Sequence, residues 1–133
     1  MNGRDARSTF RRLIAAAKAA QRNAHAPYSK FRVGAALLTR SGKVYTGVNV
    51  ENASYGLTNC AERVAVGKAV SEGHRKFRAL AVVAPSDSLS PCGACRQVLA
   101  EFGEMVVICA DSRNLRRVRV HLLSELLPHA FKL

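Results

Sequence analysis

Apolar residues recur along this chain with two different periods, and the switches between them divide it into helices and strands. Phe10, Leu13, Ile14 and Ala17 return at helical spacing behind Ser8 or Thr9, either of which can cap a first helix. That helix is expected to end between Asn23 and Pro27. Two extended runs follow, Val33 to Thr39 and Lys43 to Val50, joined at Ser41-Gly42 and therefore read as a hairpin. Further helices are predicted to begin near Cys60 and near Cys92, each preceding a strand, Phe77 to Ala84 and Met105 to Ala110. This βαβ rhythm predicts a parallel portion of sheet in an α/β fold. Arg116 to Val120 is predicted as an edge strand, and a short helix around Leu122 to Leu127 stops at Pro128, whose ring cannot continue it.

No repeat and no low-complexity tract interrupts these elements, and 133 residues suit a single domain spanning 1–133. The apolar fraction, 48%, is ordinary for a globular protein, and the apolar runs are broken too often to cross a bilayer. The first residues lead into an amphipathic stretch containing Arg11, Arg12 and Lys18, without the apolar core or cleavage region of a secretory signal. A cytoplasmic location is the expectation. There the four cysteines are better suited to metal or redox chemistry than to disulfides.

Three of those cysteines carry the chemistry. Cys92 and Cys95 form a C-x-x-C pair behind Pro91, and Cys60 opens the distant sequence Cys60-Ala61-Glu62. A C-x-x-C pair by itself fits a redox dithiol as well as a metal, but a dithiol leaves Cys60-Ala61-Glu62 unexplained. Three protein ligands with a fourth position open to water is the catalytic arrangement of zinc, whereas structural zinc sites close with a fourth protein ligand. The sequence offers no convincing fourth: the four histidines lack mutual ligand spacing, and Cys109 reads as a buried strand residue. Placing Cys60 and Cys92 at helix starts also has a purpose, because unpaired amides and the helix dipole stabilise anionic sulfur.

These motifs follow a signature already known for zinc-dependent base deaminases, H-x-E…P-C-x-x-C with cysteine allowed at the first position. The chain resembles the short, three-cysteine cytidine deaminases, and the likeness extends beyond the cysteines. It takes in 31–36 (FRVGAA), 49–57 (NVENASYGL), 60–63 (CAER), 91–97 (PCGACRQ) and 126–131 (LLPHAF). The resemblance implies a three-layer sandwich with a central mixed sheet flanked by helices. It further implies one zinc ion per subunit on Cys60, Cys92 and Cys95, and hydrolysis of cytidine and deoxycytidine to uridine and deoxyuridine in pyrimidine salvage. Glu62 would move protons from water to the pyrimidine N3 and then to the departing ammonia. Arg63 would hydrogen-bond the cysteine sulfurs and offset their charge, since zinc with three thiolates sums to a net negative site; Arg96 could share that task.

Asn49 and Glu51, two apart at a predicted strand end, can point to one face. The resemblance assigns them to the ribose, chiefly its 3′-hydroxyl. Phe31, Tyr55 and the Ala61 backbone would line the nucleoside pocket, and Phe131 would stack on the pyrimidine of a neighbouring subunit's site. A homotetramer with shared active sites follows from the same likeness. Val64 departs from it, standing where many such enzymes carry threonine.

The formal net charge of +12 is not explained by a nucleoside substrate. Basic clusters at 74–78 and 113–119 raise a second reading, a deaminase or zinc module acting on polynucleotides. Base stacking calls for several aromatic residues among the charges, and only Phe77 lies in either cluster. Polynucleotide deaminases also need loops to hold flanking nucleotides, for which little length remains beyond the catalytic motifs. Nucleic acid is therefore the disfavoured partner. A nearer competitor is a deaminase of another aminopyrimidine nucleoside such as blasticidin S, against which the 49–55 segment and terminal phenylalanine argue.

Overall fold

Strand β1 (Gly34–Thr39) is buried at every position and β3 (Phe77–Ala84) at all but one, so both need cover above and below. A computed structural model, which describes residues 3–133, shows how that cover is supplied. The sheet runs β2-β1-β3-β4-β5, with β2 (Val44–Val48), β4 (Val106–Asp111) and β5 (Asn114–Leu122) completing it. Only β3 and β4 are parallel; the other neighbours are antiparallel, making the sheet mixed as expected.

Alternation along β1 separates two cores. Ala36 and Leu38 face α1 (Gly3–Gln21), packing with Leu13, Ile14 and Ala17. Ala35 and Leu37 face the opposite layer, where α2 (Ala61–Ser71) contributes Ala65 and α3 (Gly93–Ala100) contributes Leu99. A short α4 (Leu123–Leu126) ends before Pro128. The result is three layers, helix, sheet and helix. No helix among the described residues is long and apolar enough to cross a membrane.

Several boundaries differ from the sequence expectation: α1 ends at Gln21, short of Asn23, β2 covers Val44–Val48 rather than Lys43 to Val50, and two larger differences have a clear cause. The first helix begins at Gly3, so Ser8 and Thr9 lie inside it; alanine and arginine are strong helix formers, and Asp5 suits the positive end of the dipole. β5 extends beyond Arg116 to Val120 at both ends, because β4 offers a ladder along Val106–Ala110 and again at Asp111.

Two glycines set the distance between layers. A Cβ on Gly34 would stand 2.0 Å from the Ala17 carbonyl oxygen, and one on Gly47 would stand 2.3 Å from that of Ala61. Gly47 therefore lets the start of α2 lie directly on the sheet. Gly47→Ala is expected to cost about 1–3 kcal/mol, as overpacking does. Scanning calorimetry checks this, and an unchanged melting temperature would mean that α2 is free to move outward.

Candidate active site

The antiparallel and parallel pairings bring the last residues of β2, β3 and β4 to one edge of the sheet, where Val48 pairs with Gly34 and Gly34 with Val83. The chain leaves that edge twice to start a helix over the same spot. Cys60 is the N-cap of α2 and Cys92 the N-cap of α3, with Cys95 one turn further on. Both caps have extended backbone, and neither sulfur caps its own helix. The side chains are thereby available to converge.

Cys60 Sγ lies 3.9 Å from Cys92 Sγ, and Cys92 Sγ lies 3.4 Å from Cys95 Sγ. All three sulfurs fall within 4.8 Å of one another. Tetrahedral zinc with Zn–S bonds of about 2.3 Å requires sulfurs about 3.8 Å apart, so the triad fits the ion. It is the one such group of three ligand-type residues among the described residues, so an ion held there would have three protein ligands.

The three sulfurs sit in different surroundings. Hydrogen bonding from Cys95, then from Arg63, holds the Cys60 thiol down at about 5 against the opposing effect of burial. Cys95 is pushed up by that same bond and by its own burial. Arg63 Nη2 donates to Cys60 Sγ at 3.5 Å and to the Thr58 carbonyl at 3.4 Å. Its Nε is buried with no hydrogen-bond partner. Arg96 behaves otherwise than the sequence suggested. It donates to the Pro91 and Leu126 carbonyls and to Ser90 Oγ, at 2.8, 2.6 and 2.7 Å, and so braces the loop entering Cys92. A guanidinium fork reaches the nearby carbonyls better than sulfur from this position, one turn along α3.

Glu62 stands in the first turn of α2 and is only 5% exposed. Burial is the main cause that pushes its carboxyl above the usual carboxylate range, and the Cys60 charge adds to it. A carboxyl so placed can hold a proton that an exposed one would release. Cys109 is buried within β4, and burial raises its thiol to about 11, in keeping with a structural role.

The remaining predicted residues gather around the same edge. Ala61 is fully buried under the first turn of α2. Asn49 and Glu51 lie just past β2, in a segment where Val50 bridges to both His25 and Asn59. Asn49 is buried: its Nδ2 donates to the Phe31 carbonyl at 2.8 Å, and its Oδ1 accepts from Val33 N–H at 2.9 Å. Glu51 Oε1 accepts from the amides of Tyr28 and Ser29. The Ser29 hydroxyl chiefly, together with these amides, holds the Glu51 carboxyl below its usual range. Phe31, Tyr55 and Phe131 are exposed, the last at 71%. Gln97 of α3 donates to the Phe131 carbonyl at 3.1 Å, tying the tail to the helix of Cys92 and Cys95. The bonds of Ser29 to Glu51, Gln97 to Phe131 and Arg96 to Leu126 carried no signal in the sequence, because each joins residues remote from one another in the chain.

A concavity of about 430 Å³ lies elsewhere, under α4 and next to Ala100, at the end of α3 opposite Cys92. The basic clusters are also separated by the fold. Arg113 and Arg117 pair with the buried Asp111 carboxylate at 3.0 and 3.7 Å. Arg75, Lys76 and Arg78 sit where β3 begins, and Arg40 N–H donates to the Lys76 carbonyl there. The eight residues of β3 span about 26 Å, so this second cluster lies far from the cysteines.

Residues 7–110 match the family described as the cytidine and deoxycytidylate deaminase zinc-binding region. A cytidine deaminase of Sporosarcina psychrophila is 52% identical over 123 residues, covering 90% of this chain and 89% of that one. A probable cytidine deaminase of Dictyostelium discoideum is 50% identical over 123 residues, covering 90% and 82%. The crystal structure of a cytidine deaminase from Burkholderia pseudomallei superimposes with a TM-score of 0.86 at 52% identity, covering 91% of this chain and 98% of that one. Because the matched region takes in all three converging cysteines and the helices that present them, the chain belongs to the zinc-binding cytidine and deoxycytidylate deaminase family.

Proposed function

We propose that this chain hydrolyses cytidine and deoxycytidine to uridine and deoxyuridine with release of ammonia, in cytoplasmic pyrimidine salvage. The observation that carries the reading is Glu62, a buried carboxyl with a raised affinity for protons, two residues from Cys60 in the sulfur triad. Cys60, Cys92 and Cys95 would hold one zinc ion per subunit, which when bound would supply a Lewis acid for a water molecule. Glu62 takes a proton from that water and delivers it to the pyrimidine N3 as the water oxygen bonds to C4. It then moves the remaining proton to the C4 amino group, and the C–N bond breaks to give ammonia and the C4 carbonyl. Arg63 withdraws charge from Cys60 and so keeps the three-thiolate site electrophilic.

Asn49 and Glu51 take the ribose, Phe31 and Tyr55 form walls, and the Ala61 backbone meets the base. All of residues 1–133 serves as one catalytic domain, a reading supported by the single sheet that both cores share. A homotetramer completes the site. Its support is the exposure of Tyr55 at 76% and Phe131 at 71%, which leaves aromatic surface that a stacked base and a neighbouring subunit would cover. The test is loss of ultraviolet absorbance with cytidine, deoxycytidine and a cytosine-containing single strand. Conversion of the nucleosides alone, with little response to salt, is expected; conversion of the oligonucleotide alone would overturn the substrate.

Phe131 allows the shared site to be tested separately. Phe131→Ala and Glu62→Gln chains are each expected to be impaired when pure, yet to recover part of the activity when assembled together, because a hybrid site takes Glu62 from one chain and Phe131 from another. Absence of recovery in hybrids of verified stoichiometry would place Phe131 in its own chain's site or outside any site.

A further inference from the structure

The segment before β1 is laced to the segment after β2 by hydrogen bonds from both sides. His25 N–H donates to the Asn49 carbonyl at 3.0 Å, and Glu51 N–H returns a bond to the His25 carbonyl at 2.9 Å. Between these fixed points the chain turns at Lys30, whose φ of 62° is left-handed, and Lys30 N–H closes the turn on the Ala26 carbonyl. Ser29 stands at the centre. Its hydroxyl donates to Glu51 Oε2, while its oxygen accepts the Phe31 N–H at 3.0 Å. The Phe31 carbonyl is held from the other side by Asn49 Nδ2.

Each of these contacts limits a freedom that matters at the ribose end. An ionised carboxylate offers about four acceptor positions, and Glu51 already fills three, two on Oε1 and one on Oε2. The one left open is set by where the Ser29 hydroxyl sits. The Phe31 peptide is fixed at both its N–H and its C=O, so its ring leaves the backbone in one direction. Without the hydroxyl, Glu51 would keep the two amides on Oε1 but lose the one fixed partner of Oε2, and the Phe31 amide would turn to water.

We propose that Ser29 is a positioning residue, whose hydroxyl orients Glu51 toward a sugar hydroxyl and Phe31 toward the nucleoside at the same time. The inference rests on the reading that Glu51 takes the 3′-hydroxyl. It is tested by comparing kcat/KM for cytidine and 3′-deoxycytidine in the wild type, Ser29→Ala, Ser29→Thr, Glu51→Gln and the Ser29→Ala/Glu51→Gln double variant. The wild type is expected to favour cytidine roughly a hundredfold, the scale of one hydrogen bond to a charged acceptor. Ser29→Ala should reduce that preference to about tenfold or less, chiefly through KM, and Ser29→Thr, which keeps the hydroxyl, should restore it. The double variant should discriminate no worse than Glu51→Gln alone, since both changes remove one interaction. Because Ser29 is exposed, its replacement leaves the core intact. A Ser29→Ala enzyme that slows equally on both substrates, or a double variant with additive losses, would overturn the positioning role. A wild type indifferent to the 3′-hydroxyl would instead remove Glu51 from the ribose, and the proposal with it, while leaving deamination of cytidine standing.

Discussion

Glu62→Gln is expected to lower kcat on cytidine by about a thousandfold or more, with zinc content and melting temperature little changed. The amide has the size of the carboxyl and fits the same buried space, so packing is conserved. What disappears is the ability to accept a proton and return it, and the reaction asks for this twice, at N3 and at the leaving amine. Among the described residues, Glu51 is engaged by the 28–29 turn and Asp111 by Arg113 and Arg117, so neither is free to substitute. The check is steady-state kinetics on protein whose zinc has been assayed. A variant with near-normal turnover would take Glu62 out of the proton transfer altogether.

Cys92→Ala is expected to strip the chain of zinc, to below about a tenth of an equivalent after dialysis against a mild chelator, and to abolish activity. Binding of zinc by cysteine-rich sites is worth on the order of 10–16 kcal/mol, and losing one of three thiolates removes a large part of it. Exposure of Cys92 means that the fold should outlast the metal, because neither core includes its side chain. Circular dichroism would confirm this. Cys109→Ala supplies the comparison, since that thiol lies among apolar neighbours of β4 and should leave zinc in place. Full zinc occupancy in Cys92→Ala would strike it from the ligand set.

Much of the fold was legible because its signals are local. The bounds of β3 agree with the sequence, where Phe77 and the apolar run Ala79 to Ala84 stand between Lys76 and Pro85. Cys60 and Cys92 stand at helix N-caps as their positions suggested. The start of α1 was misplaced because Ser8 and Thr9 looked like caps, whereas five more helical residues precede them. Arg96 was misjudged for a different reason. Its proximity to Cys92 and Cys95 in the chain says nothing of which way a long side chain leaves the helix, and in the structure it runs to the Leu126 carbonyl.

The sequence by itself determined the alternation that makes a buried sheet, the helix starts at both cysteine motifs, and the pairing of residue types that zinc deaminase chemistry needs. Those are properties of neighbours within a few residues, where periodicity, capping and ligand chemistry act. Tertiary structure alone decided that Cys60 and Cys92, far apart in the chain, stand 3.9 Å apart, and that burial pushes the Glu62 carboxyl above the usual carboxylate range. It also decided that Ser29 meets Glu51 and that Gln97 holds the Phe131 carbonyl. Such contacts depend on strand order, on register and on the close approach allowed at Gly47, and none of these is encoded in any short stretch of the chain.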